Sequence, residues 1–287
     1  MSYKRRDFLK LSAALSAGLA IGPFANGLAG CSTASKTNIS NDFGLQLYTL
    51  RDELPKDTKG ILTRVASFGY KQIESYEGPT GMFWGMSNIE FKKLMDDLGM
   101  NIIASHCDID KDFDRKAAAA AAIGMKYLIC PYLGPQKSLD DFKRFAATFN
   151  QRGEICKKNG IRFAYHNHDY SFVPLKGQMP QDVMMQYTDK DLVDYEMDIY
   201  WVVAAGQDPE TWLRKYPNRF RLCHVKDKKE NASVVAGSGT INFPGVLKTA
   251  AQNGMQYFLV EQEAYEGTTP IEAVQANAAY MKNLRFA

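Results

Sequence analysis

The sequence predicts an α/β chain folded as a single (β/α)8 TIM barrel, and three observations predict it. From Asn41 onward, apolar runs of strand length alternate with amphipathic stretches of helix length. Gly69, Gly99, Gly124 and Gly160 each stand one or two residues before the next apolar run, as helix C-caps do. The rhythm repeats eight times in about 245 residues. A doubly wound sheet rarely needs eight regular crossovers without a glycine-rich dinucleotide turn near its start, so the closed barrel is preferred.

Strands are expected at Phe43 to Leu50, Tyr70 to Tyr76, Asn101 to Asp108 and Lys126 to Leu133. Helices follow over Asp57 to Phe68, Asn88 to Leu98, an alanine-rich Phe113 to Ile123, and Leu139 to Lys158. The second half places strands at Arg162 to Asp169, Leu192 to Tyr200, Phe220 to Lys226 and Gln256 to Glu263. Its helices cover Gln181 to Tyr187, Pro209 to Lys215, Phe243 to Gln252 and Ile271 to Leu284.

Residues 1–30 stand apart from that pattern. Lys4, Arg5, Arg6 and Lys10 form a basic region ahead of a run of small and apolar residues from Leu11 to Ala29, broken by Gly22, Pro23 and Asn26 below the width of a membrane span. The paired arginines resemble a twin-arginine export signal, and Leu28 to Cys31 resemble a lipobox. The expectation is therefore an exported lipoprotein, periplasmic or associated with an outer membrane: signal peptide 1–30, lipidated Cys31 as membrane anchor, a polar tether over 31–40, and one catalytic domain over 41–287.

Without its first thirty residues the chain carries 31 basic and 31 acidic side chains, so the +3 of the whole sequence does not indicate a nucleic-acid partner. Cys107, Cys130, Cys156 and Cys223 form no CxxC pair and are expected as buried thiols.

In a barrel, the C-terminal ends of all strands open onto one face. That face should carry Tyr48, Glu74, His106, His166, His168, Asp198, His224, Lys226, Glu261 and Glu263. His166, Asp198, His224 and Glu261 supply two imidazoles and two carboxylates from successive strands, a set suited to one Mn, Co, Zn or Fe ion more than to calcium. A metal-free cleft in which the same groups pair with each other is the alternative. Glu263 and His168, each one strand period beyond an expected ligand, are candidates for a catalytic base, and Lys226 for neutralising an oxyanion. An ion pair between Lys226 and Glu263 is the plainer reading. Tyr48, Glu74, His106 and Trp201 are candidate substrate contacts, and the loop GSGTINF (Gly237 to Phe243) is read as a plain turn rather than an anion cradle.

The span from Asn41 to Leu284 also resembles the xylose isomerase-like barrels, which include sugar isomerases, ketose 3-epimerases, inosose dehydratases and endonuclease IV-type repair enzymes. GLQLYTLRD, GYKQIESY, SHCD, HNHD, MDIYW, CHVKD, GSGTINF and VEQE carry the resemblance. It implies one divalent metal held on His166, Asp198, His224 and Glu261, with Glu261 also catalytic. The chain departs from the epimerase pattern at His166, where those enzymes usually have Glu, and is more similar to an exported branch with the HNHD motif.

The resemblance implies a metal-dependent isomerase or epimerase acting on an unphosphorylated sugar or keto-sugar through an enediolate. The loss of the fifth-strand Glu makes a lyase or hydratase acting on a 3-keto-glycoside the close alternative. A non-catalytic sugar-binding barrel is the third reading.

Overall fold

The computed structural model describes residues 42–285. The expected leader, Cys31 and the tether lie outside them. Eight parallel strands close into a barrel in the order β1-β10-β7-β6-β5-β4-β3-β2. They are β1 (Gly44–Gln46), β2 (Gln72–Tyr76), β3 (Asn101–His106), β4 (Tyr127–Cys130), β5 (Arg162–His166), β6 (Val193–Asp198), β7 (Phe220–Val225) and β10 (Tyr257–Val260). Between them run α1 (Thr58–Ser67), α2 (Asn88–Asp97), α3 (Phe113–Ala122), α4 (Leu139–Lys158), α5 (Pro180–Tyr187), α6 (Ile199–Ala204), α7 (Pro209–Lys215) and α8 (Phe243–Gln252), and α9 (Pro270–Asn283) closes the ring. A small hairpin of β8 (Asp227–Lys229) and β9 (Ala232–Val234) follows β7. Among the described residues no helix is long and apolar enough to cross a membrane, and Cys107, Cys130, Cys156 and Cys223 are buried free thiols.

The helix boundaries follow local chemistry. Ser87, Ser138 and Thr269 start α2, α4 and α9 with reciprocal capping boxes to Glu90, Asp141 and Glu272, satisfying amides that the first turn leaves free. Gly69 (φ 98°) and Gly160 (φ 76°) end α1 and α4 in the left-handed region, as their position before a strand predicts.

Every expected strand is present, but each barrel strand stops short of its expected C-terminal end or, for β2, meets it. Leu47–Leu50 turn into a 3-10 helix instead of continuing β1, and Asp169–Phe172 do so after β5. Ile199 and Tyr200 belong to α6 rather than to β6, because Asp198 caps that helix by accepting from the Trp201 amide at 3.2 Å. The strand ends are therefore not extended arms but sharp turns that hold their last side chains in place.

Period-two alternation gives the barrel interior its character. A small apolar cluster of Ile103, Ala104, Tyr127, Ile129, Ala164, Leu222 and Leu259 packs together. Two residues further along their strands the same columns become polar: Ala164 gives way to His166, Leu222 to His224, and Leu259 to Glu261. The larger apolar core lies elsewhere and includes side chains of the strands' other face and of the helices, such as Phe163, Tyr165, Phe149 and Val225.

The GSGTINF loop does gather amides around an anion, but the anion is the chain's own. Gly237, Gly239 and Ile241 all donate to the fully buried Asp227 carboxylate, at 2.8, 2.9 and 3.2 Å. Gly237 sits at φ 84°, where a side chain would also collide with the Tyr280 ring. Asp227→Ala would take the shared acceptor from three amides, two of them glycine, in a partly exposed loop. We expect a loss of about 2 kcal/mol, in the range for hydrogen bonds to a charged group, read as a lower urea midpoint at unchanged m value.

Candidate active site

Four strand ends bring His166 (β5), Asp198 (β6), His224 (β7) and Glu261 (after β10) together with one ligand-capable atom each within 4.8 Å of the others. All four are buried. His166 Nε2 lies 3.4 Å from Asp198 Oδ2, and His224 Nδ1 lies 3.1 Å from Glu261 Oε2, yet neither ring nitrogen makes a hydrogen bond. Buried nitrogens without donors or acceptors are uncommon, and two of them facing two carboxylates form an N2O2 set that fits a divalent cation.

Lys226, one strand period above His224, points into the same group. Its ammonium is 3.1 Å from Glu261 Oε2 and 3.4 Å from Asp198 Oδ2, and it bonds Glu263 more closely still. Burial alone would lower its pKa, but Asp198, Glu261 and Glu263 outweigh that and raise it. The carboxylates respond in kind. Burial opposes ionisation of Asp198 and Glu261, yet Lys226, with His166 or His224, holds both below the ordinary carboxylate range.

A second group of four lies directly against the first and shares His224: Glu74 (β2), His106 (β3) and Glu196 (β6) surround its Nε2 side. His224 Nε2 is 2.9 Å from Glu74 Oε1, and His106 Nε2 is 2.8 Å from Glu196 Oε2. Burial works against a charged His106, but Glu74 and Glu196 raise its pKa to about 9. Burial likewise opposes ionised Glu196, and His224 and His106 hold it well below the usual value.

The cavity above these groups has a volume of about 270 Å³ and is lined by Tyr48, His106, Pro131, Tyr132, His166, His168, Glu261 and Glu263. Its size is below that of most drug-sized pockets and suits one ring. Tyr48 and Tyr132 expose 39% and 57% of their surface, enough to offer a ring face to a ligand. His168 stacks on Tyr170 at 5.7 Å and meets Trp201 at a tilt at 5.2 Å, and burial lowers its pKa to about 3, so it stands neutral.

The expected positions divide accordingly. Tyr48, His106, His166, His168, Glu261 and Glu263 reach the cavity; Asp198, His224 and Lys226 lie behind its floor. Glu74, expected at the mouth, has no exposed surface and lies beneath His224. Trp201 stands behind His168 rather than on the lining, with Lys226 over its ring at 5.1 Å. Two contributors were not anticipated. Asn167 ties β5 to β6 through paired bonds to the Asp198 backbone, both 3.2 Å, and Glu196 supports His106. Glu196 was visible in DYEMDIYW as the middle of three acids at alternate positions.

Comparison with known proteins fits this geometry. Residues 62–284 match the family described as xylose isomerase-like TIM barrel. The chain belongs to that family. Its solved members include a sugar phosphate isomerase/epimerase from Parabacteroides distasonis ATCC 8503, 32% identical, with a TM-score of 0.75 over 88% of this chain and 98% of that one. The IOLI protein with a bound zinc atom shares the family fold at 14% identity, with a TM-score of 0.67 over 86% of this chain and 99% of that one. Among curated relatives, an inosose dehydratase from Clostridium tetani (strain Massachusetts / E88) is 30% identical over 144 residues, 43% of this chain and 48% of that protein. The chain thus matches about half the length of the curated relatives.

The His106 shift predicts a pH dependence for the metal-free protein. An imidazole that holds its proton more tightly in the fold stabilises fully below its unfolded value of 6.5, and that contribution disappears as pH rises through about 9. Urea unfolding of chelator-treated protein should show stability falling between those limits, and His106→Gln should flatten that fall.

Proposed function

We propose that the protein is a metal-dependent lyase or dehydratase acting on an unphosphorylated keto-sugar or cyclic polyol ketone. The observation that carries this reading is the asymmetry of the cavity. Carboxylates Glu261 and Glu263 stand on the β10 side, while the opposing β5 side offers His166, whose Nδ1 is engaged by the Pro131 carbonyl at 3.0 Å, and the neutral His168. A 3-epimerisation needs an acid and a base on opposite faces of one carbon, whereas elimination needs one base and a proton for the departing oxygen. The inosose dehydratase relatives support the same reading.

His166, Asp198, His224 and Glu261 would hold the ion. Bound there, a divalent cation supplies Lewis acidity that makes the carbon next to a ketone more acidic. The remaining chemistry falls to the chain. Glu263, oriented by its ion pair with Lys226, takes the proton from that carbon. The C–H electron pair forms the enolate double bond, and its return to the ring expels the oxygen on the β carbon. His106, which lines the cavity and is backed by Glu196 and Glu74, gives its proton to that oxygen. Water leaves from a polyol ketone and the aglycone alcohol from a 3-keto-glycoside. Tyr48 and Tyr132 present ring faces to the apolar side of the sugar, and His168 accepts from one of its hydroxyls.

Isomerisation or epimerisation is the second reading, favoured by the Parabacteroides neighbour that spans nearly the whole barrel. Export through the leader, with Cys31 lipidated, is part of the proposal and fits an unphosphorylated substrate. The intact mass of the mature chain tests it: soluble protein that keeps residues 1–30 would refute it.

Incubating zinc- or manganese-loaded enzyme with inososes, 3-keto-glycosides, aldoses and ketoses in D₂O separates the readings. Elimination releases water or aglycone and leaves an unsaturated or rehydrated ketone. Deuterium incorporated into a product of unchanged composition would instead support isomerase or epimerase activity. Glu263→Gln should lower kcat by about 10²- to 10⁴-fold while leaving bound metal unchanged, and a variant of unaltered kcat would remove Glu263 as the base.

A further inference from the structure

His224 is the one imidazole of the site with carboxylates facing both of its nitrogens. Nδ1 looks toward Glu261 and Asp198 at 3.1 and 3.7 Å, and Nε2 toward Glu74 and Glu196 at 2.9 and 3.4 Å. A neutral imidazole has a single N–H, and the nitrogen that carries it is unable to bind a cation. Something must place it.

The polarity can be traced from the backbone. The Tyr48 amide donates to Gln46 Oε1 at 2.9 Å, which fixes the orientation of the Gln46 side chain. Its NH₂ group therefore faces Glu74 and donates to Oε1. Glu74 has no exposed surface, so its Oε1, already an acceptor for the Gln46 NH₂ group, takes its hydrogen bonds from protein groups alone. His224 Nε2, 2.9 Å from the same oxygen, must then be the donor, and the Nδ1 lone pair is left facing Asp198 and Glu261.

A second observation comes from the sheet. Register shifts occur between Ile73 and Glu74 in the β2 pairing with β3, and between Tyr195 and Glu196 in the β6 pairing with β7. Each shift leaves an extra residue in the partner strand, Ile103 in β3 and Arg221 in β7, so the irregularities lie opposite Glu74 and Glu196 and a few residues before His106 and His224, where they re-aim the rings that meet those carboxylates.

We propose that Gln46 and Glu74, with Glu196 beside them, are positioning residues that hold the His224 proton on Nε2 and so present Nδ1 as a metal ligand. They touch neither the substrate cavity nor the ion. The inference rests on the metal reading given above, which places the ion on the Nδ1 side. Ligating histidines elsewhere depend on such partners for about 10- to 100-fold in metal affinity.

The sequence has only four histidines, so histidine-selective ¹⁵N NMR of the zinc-loaded full domain can resolve each ring. We expect His224 as the Nε2–H tautomer with a zinc-shifted Nδ1. Zinc titration should give a dissociation constant raised about 10- to 100-fold in Glu74→Gln, with Gln46→Met shifting it in the same direction by less.

An Nδ1–H tautomer in the zinc-loaded protein overturns the proposal, since the ion would then sit on the Glu74 side. So does a Glu74→Gln affinity within about twofold of the parent, given normal folding by circular dichroism. If Glu74→Gln does not fold, the parent tautomer and the Gln46→Met affinity decide. A parent that binds zinc only through Asp198 and its neighbours, yet ignores both substitutions, sinks this inference alone. A parent that binds no divalent metal sinks the metal reading with it.

Discussion

Buried carboxylates require a positive charge or a set of donors, and the upper interior of this barrel is arranged around that requirement. Glu74, Glu196, Asp198 and Glu261 are all buried within one continuous group. Lys226 answers the upper pair and Glu263, while His106 and His224 answer the lower pair. Any change in one part of the group alters what its neighbours must compensate. A dication among His166, Asp198, His224 and Glu261 would relieve the ring nitrogens that otherwise lack partners. Replacing a single carboxylate with a hydrophobe of similar shape would leave a buried cation such as Lys226 less compensated, a strongly destabilising change.

The fold makes the arrangement possible by aligning strand columns. The inward columns of β5, β7 and β10 carry Ala164, Leu222 and Leu259 and change to His166, His224 and Glu261 toward the C-terminal end, so the apolar cluster supports the polar one. β6 carries the requirement along its length. Asp194 pairs with Arg162 near the strand start, Glu196 with His106 in the middle, and Asp198 faces the ligand group at its end. Tight turns then hold the last residues. The 3-10 helices after β1 and β5, and α6 capped by Asp198, convert strand ends into rigid mounts.

Much of this was legible from the sequence because barrel physics is periodic. The eight strands, the boundaries of α4, α7 and α8, the four buried thiols and the grouping of His166, Asp198, His224 and Glu261 all follow from alternation and strand-end placement. The strand ends were harder. MDIYW reads as one apolar run, and nothing in its hydrophobicity reveals that the Asp198 side chain will cap a helix at that point. The β8–β9 hairpin, lying between CHVKD and the glycine loop, has too few residues to show a period. Glu74 illustrates a different limit. Its place in the column was readable, but its partners depended on the register shift that leaves Ile103 of β3 unpaired opposite Ile73 and Glu74, a feature of pairing rather than of composition.

The central claim is that this interior holds one divalent cation on four strand ends, at the floor of a cavity sized for a single sugar ring. A crystal structure of the metal-loaded protein, with diffraction recorded on both sides of the zinc absorption edge, tests it most directly. The account predicts one anomalous peak within bonding distance of His166 Nε2, Asp198, His224 Nδ1 and Glu261, with Lys226 displaced toward Glu263. A peak among Glu74, His106 and Glu196, or no peak in protein whose bulk analysis shows stoichiometric zinc at these residues' expense, would contradict it.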